Sequence, residues 1–146
     1  MSVALAEIEG VRIMELNKSG QDYLEAILIV RNQRGVVREI DLVNRLGYAK
    51  PSVSIAVRKL RNGGFLSMGD DKLIRLTDAG KEIAEKMYAR HCFFTTLFIA
   101  LGIEPTQAEK EACEIEHDVS DETFDRIQAR YALCNACCEE VKFHAG

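Results

Sequence analysis

Cys113, Glu116 and His117 occupy positions i, i+3 and i+4 of the run "CEIEH". At about 100° per residue, a helix brings these three onto one edge and turns Glu114 away. Thiolate, carboxylate and imidazole side by side are ligands for a divalent transition metal. The same edge logic joins Asp22 to Glu25 in "SGQDYLEAI", and His91, midway along a predicted long helix, can offer another nitrogen. Each group also has a plainer use. Asp22 and Glu25 suit the first turn of a helix, where acids complement the dipole, and a lone His91 on an apolar helix is often a hydrogen-bonded core residue. Periodicity alone leaves open whether the three clusters meet.

The elements that must position them follow from the pattern. Tyr23, Leu24, Ile27, Leu28 and Ile29 recur at helical spacing over residues 21–32, with Ser19 as the expected N-cap. After Gly35, "VREIDLVNRLG" predicts a short helix with Ile40, Leu42, Val43 and Leu46 mostly inward, ended by Gly47. Pro51 opens "PSVSIAVRKLRNGG", whose buried stripe is Val53, Val57 and Leu60. Two short β-type runs, Phe65 to Met68 and Lys72 to Leu76, flank a Gly-Asp-Asp turn. Two helices joined tightly and followed by a hairpin predict a winged helix-turn-helix. Beyond it, Thr77 caps a long helix that grows more apolar toward its end, Pro105 opens "PTQAEKEACEIEH", and Ser120 opens "SDETFDRIQARYALCNAC". The expected fold is mainly α: a DNA-reading unit over 17–76, then an all-helical dimerisation unit over 77–140.

Composition narrows the class. With 47% hydrophobic and 29% charged residues in 146, the chain reads as globular. No run approaches the roughly 18 apolar residues of a membrane span, and the first twenty residues lack the features of a signal peptide. The cytoplasm is the expected location. Five cysteines, an odd number placed within helical patterns, argue for reduced thiols. The net charge is −4, yet Arg34 to Arg75 holds nine basic residues against four acidic ones. A basic segment in an acidic chain suits a polyanion, though a solvated face would look the same.

Taken in order, "DYLEAI", "PSVSIAVRKL", "LTDAG", "YARH" and "EACEIEHDVS" resemble the diphtheria toxin repressor and manganese transport regulator family of metal-activated repressors, over roughly residues 19–130. The resemblance implies that Asp22, Glu25, His91, residue 113, Glu116 and His117 are metal positions. It also implies that the carboxylates on the first helix clasp the DNA-binding unit to the metal. Position 113 is Cys, as in iron-type members, whereas Asp22 and Glu25 follow the manganese type. A thiolate shifts preference from Mn(II) toward Fe(II), Co(II) or Zn(II). The ancillary site of iron-type members maps onto Glu109 and Thr95 beside His91 and is incomplete here, and the SH3-like domain they usually add is not expected within these 146 residues. "CNACC", with Cys134, Cys137, Cys138 and then His144, invites a zinc site, but interface packing accounts for it as well.

For double-stranded DNA, the expected reading helix is 51–62, with Lys50, Pro51, Ser52, Ser54 and Arg58 toward the groove and Lys72 on the wing. The combined expectation is a homodimeric, metal-activated repressor of metal-homeostasis genes on a palindromic operator. Two rivals stand beside it: a regulator with a degenerate metal site that responds to oxidation of Cys92 or Cys113, and a metal-dependent hydrolase, for which no separate base or substrate motif is present.

Overall fold

The computed structural model describes the backbone of residues 16–142 and the side chains of residues 16–132. Cys134, Cys137, Cys138 and His144, as side chains, lie outside the described residues. In chain order the elements are α1 Lys18–Arg34, α2 Glu39–Leu46, α3 Lys50–Asn62, β1 Leu66–Met68, β2 Ile74–Leu76, α4 Asp78–Ala100, α5 Pro105–Ile115 and α6 Asp121–Lys142. The fold is mainly helical with one small antiparallel sheet, as the sequence pattern predicts. The chain divides into two compact units after Ala89, within α4.

In the first unit, α1 is capped by Asn17, whose Oδ1 accepts from the Gly20 N–H at 2.9 Å. Ser19, the expected cap, lies inside the helix. Gly35 and Gly47 end α1 and α2 at φ 81° and 72°, a left-handed conformation that costs a side chain dearly and glycine little. Leu24 and Ile27 of α1, Leu42 of α2, and Val53, Val57 and Leu60 of α3 close one core with Phe65, Leu66 and Ile74. Ile40 does not join it. It is 51% exposed, because at about 200° from Leu42 around α2 it cannot share the buried face.

The wing strands are shorter than the two β-type runs. Leu66 pairs with Leu76 and Met68 with Ile74, and the Ile74 N–H donates to the Val37 carbonyl at 2.8 Å, tying the hairpin to the α1–α2 connection. Thr77 caps α4 as expected: its hydroxyl accepts from the Gly80 N–H at 3.3 Å and donates to the Gly64 carbonyl at 2.6 Å. Gly80 is buried. A Cβ there would lie 2.1 Å from the Phe65 carbonyl oxygen, so only glycine lets the start of α4 approach the hairpin this closely.

The second unit is built on aromatics. Phe94, Ala112 and Phe124 are buried, with Phe93, Leu97, Phe98 and Ile115 packed against them. Phe93 meets Phe124 edge-on with centroids 5.4 Å apart, a favoured ring geometry. Glu104 caps α5 by accepting from the Gln107 N–H at 3.1 Å, and the Ser120 hydroxyl accepts from the Thr123 N–H at 3.2 Å at the start of α6. Among the described residues, no helix is long and apolar enough to cross a membrane.

Candidate metal centre and nucleic-acid interface

α5 ends at Ile115, so Cys113 stands in its last turn, Glu116 is its C-cap and His117 follows directly. α4 supplies His91. One ligand atom each from His91, Cys113 and Glu116 lies within 4.8 Å of the others. Bonds of about 2.0–2.3 Å to a single ion set ligand atoms roughly 3–4.5 Å apart, so a small contraction of this trio accommodates one. Glu116 is fully buried. A buried carboxylate is costly unless partnered; here Oε2 lies 3.0 Å from His91 Nδ1 and Oε1 lies 3.3 Å from His117 Nε2. The donor set of two imidazoles, a carboxylate and a thiol fits a divalent transition metal.

The remaining expected ligands sit on α1, where Glu25 is buried and Asp22 half-buried. Of the ancillary pair, Glu109 brings Oε1 to 3.9 Å from His91 Nε2. The Thr95 hydroxyl is buried without a hydrogen-bond partner among the described residues. Cys92 and Cys113 are both exposed cysteines outside any disulfide.

One residue of this centre escaped the sequence reading. Arg90, only 3% exposed, donates from Nη1 to the carbonyl oxygens of Glu116, at 2.9 Å, and Val119, and from Nη2 to the Asp121 carboxylate. Its guanidinium carbon also lies 5.1 Å from the Phe124 ring centroid, within cation–π range. The turn that carries Glu116 and His117 is thereby fastened to the residue next to His91. A signal existed: Arg90 falls in register with Met87 and Phe94 on the buried stripe of α4, where a charged residue needs a reason.

In the first unit, Lys50, Pro51, Ser52 and Arg58 are exposed along α3, as is Lys72 at the wing turn. Ser54 is engaged: its hydroxyl donates to the Glu39 carboxylate at 2.6 Å, linking α3 to α2. The wing turn is held by Asp71, which accepts from the Leu73 N–H at 3.0 Å and from Arg75 at 2.7 Å. The hydrogen bond from Arg75, then that from Leu73, lowers the Asp71 carboxyl to about 2.

Family models for the two halves match consecutively. Residues 15–73 match the iron-dependent repressor N-terminal DNA-binding domain, and residues 77–141 match the iron-dependent repressor metal-binding and dimerisation domain. The transcriptional regulator MntR of Salmonella typhimurium is 32% identical over 108 residues, covering 74% of this chain and 69% of the relative. The chain belongs to the diphtheria toxin repressor and manganese transport regulator family. Members of this family are transcriptional regulators, not enzymes, which removes the hydrolase reading. An uncharacterised helix-turn-helix regulator of Methanocaldococcus jannaschii is 29% identical, covering 77% of this chain and 92% of the relative. A manganese-dependent transcriptional repressor solved with manganese shares 32% identity at a TM-score of 0.69 over 76% of this chain. The metal-dependent transcriptional regulator MtsR shares 26% at 0.70 over 82%. This chain spans about half of those two solved chains, 51% and 55%.

Proposed function

We propose that the chain is a metal-activated transcriptional repressor that grips palindromic operator DNA as a homodimer and controls genes of metal homeostasis. The observation that carries this reading is the convergence of His91, Cys113 and Glu116 donor atoms within 4.8 Å, next to His117. His91, Cys113, Glu116 and His117, together with Asp22 and Glu25 of α1, would hold the ion, which when bound supplies a cross-tie between these side chains.

The division of labour follows the expected segments. Residues 17–76 bind double-stranded DNA through Lys50, Pro51, Ser52, Arg58 and Lys72, with the Ser54 hydroxyl committed to Glu39 rather than to the duplex; residues 77–140 bind the metal and a second copy of the chain. A ligand set that draws on α1 as well as on later helices makes metal affinity and DNA affinity raise one another, typically by about 1–3 kcal/mol. Cys113 favours Fe(II), Co(II) or Zn(II), whereas the carboxylates suit Mn(II).

A second reading has one observation in its favour. Cys92 and Cys113 are exposed thiols, as a regulator that responds to oxidation requires. The deciding experiment titrates duplex binding with Mn(II), Fe(II), Co(II) and Zn(II) against chelated protein, under anaerobic and reducing conditions. Binding that rises with at least one metal and collapses on chelation is the expected result. Binding that ignores every metal but changes with peroxide supports the thiol reading and overturns the metal one.

A further inference from the structure

Ile55 is placed where packing gives it no role. The buried stripe of α3 is Val53, Val57 and Leu60. At about 100° per residue, Ile55 points about 160° away from Val53 and from Val57, toward the middle of the opposite face. It is 45% exposed. Ser52, Arg58, Lys59 and Asn62, exposed themselves, stand around it on that face. A β-branched apolar residue is a poor occupant of such a position: it is a weaker helix former than lysine or arginine, and its apolar surface lies in water.

The surroundings define what can cover it. α3 carries Lys50, Arg58, Lys59 and Arg61 and no acidic residue, so an anionic partner is favoured. Within the major groove of DNA, the apolar group that a side chain meets is the C5-methyl of thymine. Ile55 also borders a groove of about 910 Å³ lined by Tyr48, Ser52, Ala56, Lys59 and Phe65. An apolar protein partner would fit the groove's floor, but not the four cations of the helix.

We infer that Ile55 is a specificity-determining residue that reads a thymine in each half-site by contact with its C5-methyl group. The inference rests on the DNA-binding reading above and deepens it: the basic residues of α3 supply attraction to any duplex, whereas Ile55 distinguishes thymine from cytosine and the purines.

The test uses the full chain with Mn(II) or Co(II). Duplexes are selected from a randomised pool, and each thymine of the winning sequence is then replaced singly by uracil, which removes the methyl and keeps every hydrogen-bonding group. At one position per half-site, wild type is expected to lose about fourfold in affinity, the worth of one buried methyl-sized group. Ile55→Ala is expected to lose that discrimination while melting at the wild-type temperature, and Ile55→Val to keep part of it. A selected duplex in which every thymine tolerates uracil overturns this inference alone. An Ile55→Ala variant that still discriminates overturns it too, and leaves the face to a protein partner. Failure to select any duplex overturns the DNA-binding reading and this inference with it.

Discussion

Arg90 donates to the backbone carbonyl oxygen of Glu116 at 2.9 Å, and its chain neighbour His91 lies 3.0 Å from the carboxylate of that same Glu116. Glu116 is thus held at both ends from consecutive residues of α4. The same guanidinium reaches Val119 and Asp121, so α4, the end of α5 and the start of α6 share one buried side chain.

Replacing Arg90 by Met is expected to destabilise the protein by about 1.5–3 kcal/mol, the range for hydrogen bonds from a charged donor. It is also expected to lower metal affinity by roughly 10–100-fold, as loss of a group that orients ligands does. Arg90→Lys keeps the charge without the fork and should recover part of each. Calorimetry and metal titration on the same samples separate the two effects. A lowered melting temperature with wild-type metal affinity would confine Arg90 to a structural role.

Cys113→Glu trades a soft ligand for a hard one. Activation of DNA binding should move from Fe(II) or Co(II) toward Mn(II), whereas Glu116→Gln and His117→Ala should weaken it with every ion. Identical metal profiles for wild type and Cys113→Glu would exclude the thiol from the ligand set.

Ser54→Ala removes the 2.6 Å bond to Glu39. The expected cost is about 1–2 kcal/mol in urea denaturation, since the acceptor is a partly buried carboxylate left short of a donor. Ser52→Ala, at an exposed position, should leave stability unchanged and act on DNA affinity alone.

Asp71 gives the wing a pH dependence. Its folded value of about 2 lies below the ordinary 3.8, so its contribution to the turn is present above about pH 4 and is lost as pH falls through about 2. The Leu73 amide resonance, whose proton Asp71 accepts, should titrate with a midpoint near 2. In Asp71→Asn that titration should vanish.

The winged layout was legible because periodicity, Pro51, Thr77 and the glycine stops all agree locally. Boundaries were less so. Asn17 outcompetes Ser19 as a cap because its side chain stands three residues before the N–H it accepts from, a choice that neighbouring polar residues leave open in sequence. Of the four apolar residues of α2, Ile40 is the one that faces outward, and an eight-residue helix offers too few turns for the sequence to say which of them share its buried face. The spacing of Cys113, Glu116 and His117 survives although only the first lies within α5, since the backbone at Glu116 remains right-handed helical. The partners of Arg90 and the Ser54–Glu39 bond were not legible, because each contact joins residues at least 15 apart in the chain.

The 2.1 Å separation between a Cβ at position 80 and the Phe65 carbonyl has a consequence for protein engineering. Positions 35 and 47 are open in space and demand only a left-handed backbone, so a combinatorial library there should return Asn and Asp as well as Gly. Position 80 presents the opposite constraint, an ordinary helical backbone with no volume left beside it. In the same library it should return a single letter, and any scheme that grafts a new hairpin onto this scaffold must keep that letter or redesign both partners together.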